Sequence, residues 1–332
     1  MNLITCKPWG ETANGPVYLF RLTNASGAFV EITNYGATLV SACVPDRHGK
    51  LANVVLGYDS LQGYEADPNY MGATIGRFAN RISDAAFELD GRHYRLEAND
   101  GSNSNHGGSN GFHRQTFLHE TGERCITLRY TSPGGEGGFP GTLQLAVRYE
   151  WTEDNALMIH YQATTDQPTV ASFTNHAYFN LSGKTGLIDG HELHILAQNI
   201  LETGADHIPT GAVIPAGILS FNGNNVGQKI QKENGNREGL NTCYILEKQA
   251  DKLSKACQLT DPETGRALTV HTSYPGLLLY TGDYISGGTH RPFEGLCLEC
   301  QHFPDAPNQP AFPSAVLRPG EVYDHTILFH FT

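Results

Sequence analysis

Short runs rich in β-branched and aromatic residues recur from one end of this sequence to the other, and they restrict it to a fold built from sheets. Val17 to Leu22, Phe29 to Thr33, Thr38 to Val44, Thr142 to Trp151, Leu157 to Thr164, Leu277 to Thr281 and Thr326 to Phe331 each have the length and make-up of a strand. Hydrophobic spacing at the helical period is scarce, and Ser60 to Ala66 predicts no more than a helical turn or two. Phe87 to Leu96 centres on Asp90-Gly91, which predicts a tight hairpin because a type I′ turn needs positive φ at both central residues. With 37 glycines to serve tight turns, the expected class is all-β. Neither a low-complexity linker nor an internal repeat divides the 332 residues, and all-β architectures often exceed the usual domain size. One domain over residues 1–332 is therefore expected.

Charge and termini narrow the function. A net charge of −12 argues against nucleic acid and against an anionic membrane surface as partners. Met1 to Lys7 lack the basic start, apolar stretch and cleavage site of a signal peptide, and no segment has the length of a membrane span, so cytoplasmic residence is expected. Seven scattered cysteines cannot all pair within one chain and read as reduced, structural thiols. Three polar, Gly-rich stretches, residues 99–111, 132–141 and 222–239, read as long loops able to carry function. The third, asparagine-rich, reads as a surface excursion.

The densest chemistry lies in Asn175-His176-Ala177-Tyr178-Phe179-Asn180-Leu181. On a strand His176, Tyr178 and Asn180 share one face and Ala177, Phe179 and Leu181 the other, so one face packs while the other holds a polar ligand. A hydrogen-bonded core histidine on a β segment is the plainer alternative. Three further segments carry residues of the kind a pocket needs: Gly76-Arg77-Phe78-Ala79-Asn80-Arg81, Asn105-His106-Gly107-Gly108, and Leu296-Cys297-Leu298-Glu299-Cys300-Gln301. Each is weak alone.

In this order the four segments resemble the galactose mutarotase (aldose 1-epimerase) family. The likeness runs from Asn34-Tyr35-Gly36 to Phe303-Pro304-Asp305 and Leu317-Arg318-Pro319-Gly320-Glu321, and Thr174 to Leu181 is its most specific element. It implies a large β-sandwich, the mutarotase supersandwich, with an open groove that binds a free pyranose and exchanges its α and β anomers. By the same resemblance, Glu299 is the general base at the C1 hydroxyl and His176 the general acid at the ring oxygen. His106, Asn80 and Arg81 contact the sugar, Tyr178 lines the face, Asn241 reads hydroxyls, and Arg77 supports. Ring opening needs only two proton-transfer groups, so neither metal nor other cofactor is expected. The partner is a small sugar, and the assembly a monomer or homodimer.

Two positions depart from the family pattern. Asn241 stands where an aspartate is common and Leu278 where many relatives carry glutamine, which points to a shifted sugar preference away from galactose or glucose; Asp283, at a usual asparagine position, is a partial compensation. Rival readings are a zinc site of His106, His176 and Glu299, which their wide sequence spacing does not support, and a redox Cys297-x-x-Cys300 pair. A non-catalytic carbohydrate-binding module and a phosphosugar 1-epimerase also remain, the last requiring extra cations.

Overall fold

The computed structural model describes residues 3–232, 234–247 and 252–332. Among these, the chain forms a nine-stranded and a six-stranded antiparallel sheet, with a five-stranded meander at the N-terminal end. The nine-stranded sheet runs, edge to edge, Leu118–Thr121, Cys125–Ser132, Leu143–Trp151, Ala156–Thr165, Tyr323–Phe331, Ala267–Thr272, Ser254–Thr260, Glu192–Ile195 and Asn222–Asn225. The six-stranded sheet runs Tyr178–Phe179, Leu296–Gln301, Gly276–Tyr280, Asn241–Ile245, Asn199–Thr203 and Pro209–Pro215.

Alternation explains how the two sheets meet. Along Leu143–Trp151 the residues Leu143, Leu145, Val147, Tyr149 and Trp151 are buried while their neighbours are more accessible. They join a core with Leu296, Leu298 and Cys300, the alternate residues of the strand that carries Glu299. Phe179 and Phe329 bridge the sheets edge to face at 5.1 Å between ring centroids. The strand pattern's all-β class holds, and the packed sheets form the β-sandwich that the family resemblance implied.

The second face of the six-stranded sheet is the one that matters for chemistry. Because directly paired residues share a face, the register places Tyr178 opposite Cys297, Cys297 opposite Tyr280, and Tyr280 opposite Asn241 in one row. Two residues along, Glu299 pairs with Leu278 and Leu278 with Cys243. Cys297 and Cys300 therefore point to opposite faces and no disulfide joins them.

Local expectations hold at the hairpin, where Asp90 and Gly91 take φ of 51° and 73° between Ala86–Leu89 and Arg92–Arg95, and at the single-turn helix Leu61–Glu65. The asparagine-rich stretch is more than a surface excursion. Its Asn222–Asn225 pairs with Glu192–Ile195, and the helix Val226–Ile230 buries Val226 and Ile230 in the core. No helix among the described residues is long and apolar enough to cross a membrane.

Candidate active site

A cavity of about 670 Å³ opens over the second face of the six-stranded sheet. His176, Tyr178, Leu278, Tyr280, Asn241 and Glu299 line its floor, and Asn80, Arg81 and His106 its wall. Strand geometry holds the floor except at His176, which lies in the two-residue link between Thr174–Asn175 and Tyr178–Phe179, whereas the wall is built by loops whose shape depends on unusual backbone angles. Asn80 and His106 sit at φ of 67° and 52°, left-handed values that Asn and His tolerate better than most residues. Gly107 follows at φ 82°, and a Cβ there would lie 2.1 Å from the Gly76 carbonyl oxygen, so only glycine lets the histidine loop tuck against the Gly76–Arg81 segment.

Hydrogen bonds then orient each side chain. The Asn80 backbone N–H donates to His106 Nδ1 at 3.2 Å, which requires Nδ1 to be unprotonated and leaves the proton on Nε2. Burial, and secondarily the neighbouring His176, hold the His106 imidazolium pKa well below its ordinary value, so this ring is a neutral donor. Asn80 Oδ1 accepts the Arg81 N–H at 2.8 Å, and Arg81 Nε donates to Asp100 Oδ2 at 2.7 Å. The Tyr178 hydroxyl donates to the Asn69 carbonyl at 3.0 Å, which fixes its ring in the cavity floor.

His176 Nε2 lies 3.6 Å from Glu299 Oε1, with the residues only 4 % and 1 % exposed. That separation is too long for a hydrogen bond, and Glu299 Oε2 makes none among the described residues. Desolvation therefore dominates both groups. It pushes the Glu299 carboxyl up to about 8, against a small opposing pull from Arg81, and lowers His176 to about 4. Between these values the pair holds one mobile proton, resident on Glu299 when the cavity is empty of ligand. Moving it to His176 Nε2 gives a carboxylate and an imidazolium with the same proton inventory.

Against this geometry the relatives can be compared. The sequence matches the aldose 1-epimerase family over residues 18–330. Human galactose mutarotase is 37 % identical, with 100 % of this chain and 99 % of that protein covered. The aldose 1-epimerase of Escherichia coli K12 is 32 % identical over 95 % of each chain. A crystal structure of an aldose epimerase homologue from C. elegans superimposes with a TM-score of 0.88 at 28 % identity, covering 95 % of this chain and 98 % of that one.

This chain belongs to the aldose 1-epimerase family. The fold brings seven of the eight site residues expected from sequence to one cavity and leaves Arg77 outside it. The Arg77 guanidinium is buried behind the wall, donating to the carbonyls of Ser132, Pro133, Pro140 and Gly141 and to Ser132 Oγ. With both terminal nitrogens committed to these groups behind the wall, it is a structural pin and not a ligand contact. Asn180 also turns away from His176 and Tyr178, because the chain leaves the strand after Phe179. Its Nδ2 donates to the Gly186 and Glu294 carbonyls. Asp283 does not compensate for Leu278: it packs behind Gly239, where a Cβ would meet its carboxyl carbon at 1.9 Å.

Sequence reasoning overlooked the loop that roofs the histidines. Asp67 accepts the backbone N–H groups of Asn69 and Met71 at 2.8 and 2.6 Å and the Tyr58 hydroxyl at 2.9 Å, shaping a turn that packs Tyr70 against both His106 and His176 at ring-centroid distances of 4.7 and 5.8 Å. The signal was Asp67-Pro68-Asn69, an Asx-turn sequence. Tyr280, Asp206 and His207 also line the cavity and carried no such mark.

Wide spacing in sequence was a poor guide, since ligand atoms of His106, His176 and Glu299 lie within 4.8 Å of one another. What disfavours a metal is the His106 tautomer: Nδ1 is occupied by the Asn80 N–H and Nε2 carries the proton, so neither nitrogen offers a lone pair. The phosphosugar reading also loses support, because Arg81 is the single Lys or Arg among the cavity residues, beside Asp100, Asp206 and Glu299.

Proposed function

We propose that this aldose 1-epimerase interconverts the anomers of a free aldopyranose through Glu299 and His176. Glu299, as carboxylate, takes the proton of the C1 hydroxyl while His176 delivers its Nε2 proton to the ring oxygen. The C1–ring-oxygen bond breaks as the C1 carbonyl forms. Rotation about C1–C2 and reclosure with the roles reversed give either anomer, and each cycle returns both groups to their starting state. His106 Nε2–H donates to the oxygen at which charge develops. Asn80, Arg81 and Asn241 hold hydroxyls, and the Tyr178 ring supplies an apolar wall for a sugar face.

The observation that carries this reading is the meeting of buried His176 with buried Glu299, whose Oε2 has no hydrogen-bond partner among the described residues, in one cavity large enough for a sugar. A non-catalytic carbohydrate module has no need to sustain the desolvation of such a pair. Apolar Leu278 beside Glu299, and amide Asn241 in place of a carboxylate, shift preference away from galactose and glucose toward aldoses that present less hydrogen-bonding demand at this end. Polarimetry of freshly dissolved α-anomers across a panel of aldoses, with and without a strong chelator, tests the reading. Chelator-resistant acceleration of mutarotation supports it, and absence of acceleration for every aldose overturns it.

A further inference from the structure

We propose that Cys297 is a positioning residue that holds the Nδ1–H tautomer of His176 and so reserves Nε2 for proton transfer. This inference rests on the acid–base reading above, but its first test does not depend on activity.

Cys297 Sγ lies 3.5 Å from His176 Nδ1, a normal separation for a hydrogen bond to sulfur, and the thiol is wholly buried. Which partner donates is decided at the other ring nitrogen. His176 Nε2 faces Glu299 Oε1 at 3.6 Å and keeps a lone pair to take up the carboxyl proton, so the hydrogen of the neutral ring sits on Nδ1 and Sγ accepts it. Burial raises the Cys297 thiol far above its usual range, so the sulfur beside the ring stays uncharged.

The arrangement is the opposite of that at His106, whose Nδ1 accepts from the Asn80 N–H and whose Nε2 keeps its proton. Two neighbouring imidazoles, 5.2 Å apart between centroids, therefore present different Nε2 atoms to the cavity: a fixed donor on His106 and an exchangeable one on His176. A neutral sulfur also suits an acid that must release its proton. A carboxylate at the same place would trap the imidazolium, whereas the thiol orients the ring without adding charge.

Proton-detected ¹⁵N spectroscopy of the intact enzyme with labelled histidine near pH 6 reads both tautomers directly. Nδ1–H on His176 with Nε2–H on His106 is expected, and Nε2–H on neutral His176 overturns the proposal. Kinetics supply the second test. Cys297→Ala is expected to lower kcat about fivefold with KM within about twofold and to blur the His176 tautomer signal, while Cys297→Ser recovers part of kcat. Cys297→Ala with unchanged kcat and tautomer defeats the inference while leaving the acid–base reading intact. An active His176→Asn enzyme defeats that reading itself.

Discussion

Leu278 stands directly opposite Glu299 in the ladder joining Gly276–Tyr280 to Leu296–Gln301, so the buried carboxyl has an apolar neighbour on the strand next to it. Leu278→Gln supplies a hydrogen-bond donor at that place and favours the carboxylate. Its alkaline activity limb is expected to fall below that of the parent. Together with Asn241→Asp it is expected to raise galactose and glucose turnover relative to other aldoses, and an unchanged ranking across the panel rejects the assigned specificity role.

Removing either proton-transfer group separates chemistry from folding. Glu299→Gln and His176→Asn are each expected to reduce kcat by about 10²- to 10⁴-fold, with far-ultraviolet circular dichroism unaltered. Loss confined to one variant would reassign the other residue to binding.

The pH profile follows from the shared proton. With Glu299 pushed up to about 8 and His176 lowered to about 4, the singly protonated pair prevails between these values. Below about 4 both groups are protonated and no base remains; above about 8 both are deprotonated and no acid remains. A kcat/KM profile that is flat between two limbs is expected, the limbs belonging to the pair jointly. A single sigmoid centred near the ordinary histidine value contradicts it.

Stability carries the same signature with a definite sign. From the ordinary 4.5 of a free Glu up to about 8, the native protein keeps a proton on Glu299 that the unfolded chain has released, so this residue's contribution falls as pH rises through that window. His176 acts oppositely between about 4 and 6.5, where the unfolded chain holds the extra proton and stability falls as pH drops. Glu299→Gln is therefore expected to gain in Tm relative to the parent as pH is raised from 5 to 8.5, and parallel Tm curves would rule out the buried carboxyl's raised pKa.

Arg77 and Arg81 stand four positions apart in one motif yet differ in role. Arg81→Met is expected to raise KM about 10- to 100-fold with little change in Tm, since its guanidinium faces the cavity. Arg77→Met is expected to destabilise the fold by about 3 kcal/mol or more, because it strands several buried carbonyls, while KM of the folded fraction is unchanged. Calorimetry and initial-rate polarimetry on both variants distinguish the two.

Strand identity, the Asp90-Gly91 hairpin and the pairing of a packed face with a polar one were legible from local sequence, because period-two alternation and turn stereochemistry act over a few residues. The family likeness likewise named His176, Glu299, His106, Asn80 and Arg81. Nothing local marked Arg77 as a pin or Asn180 as a loop clamp: both look like polar site residues until the carbonyls they serve, distant in sequence, are brought beside them. Asp67 did carry a local Asx-turn signal, but that the turn sets Tyr70 against two histidines distant in sequence could not be read from it.

What the chain's own order of residues decided is therefore the set of strands, the turn types and the chemical groups available. Which of those groups face one another was decided only by antiparallel register, where a shift of one residue would send Glu299 into the core and Leu298 into the cavity. Protonation was decided later still. A carboxyl near 8 and an imidazole near 4 are properties of the water-poor space enclosed when distant segments close over them, and no residue carries that space in its own side chain.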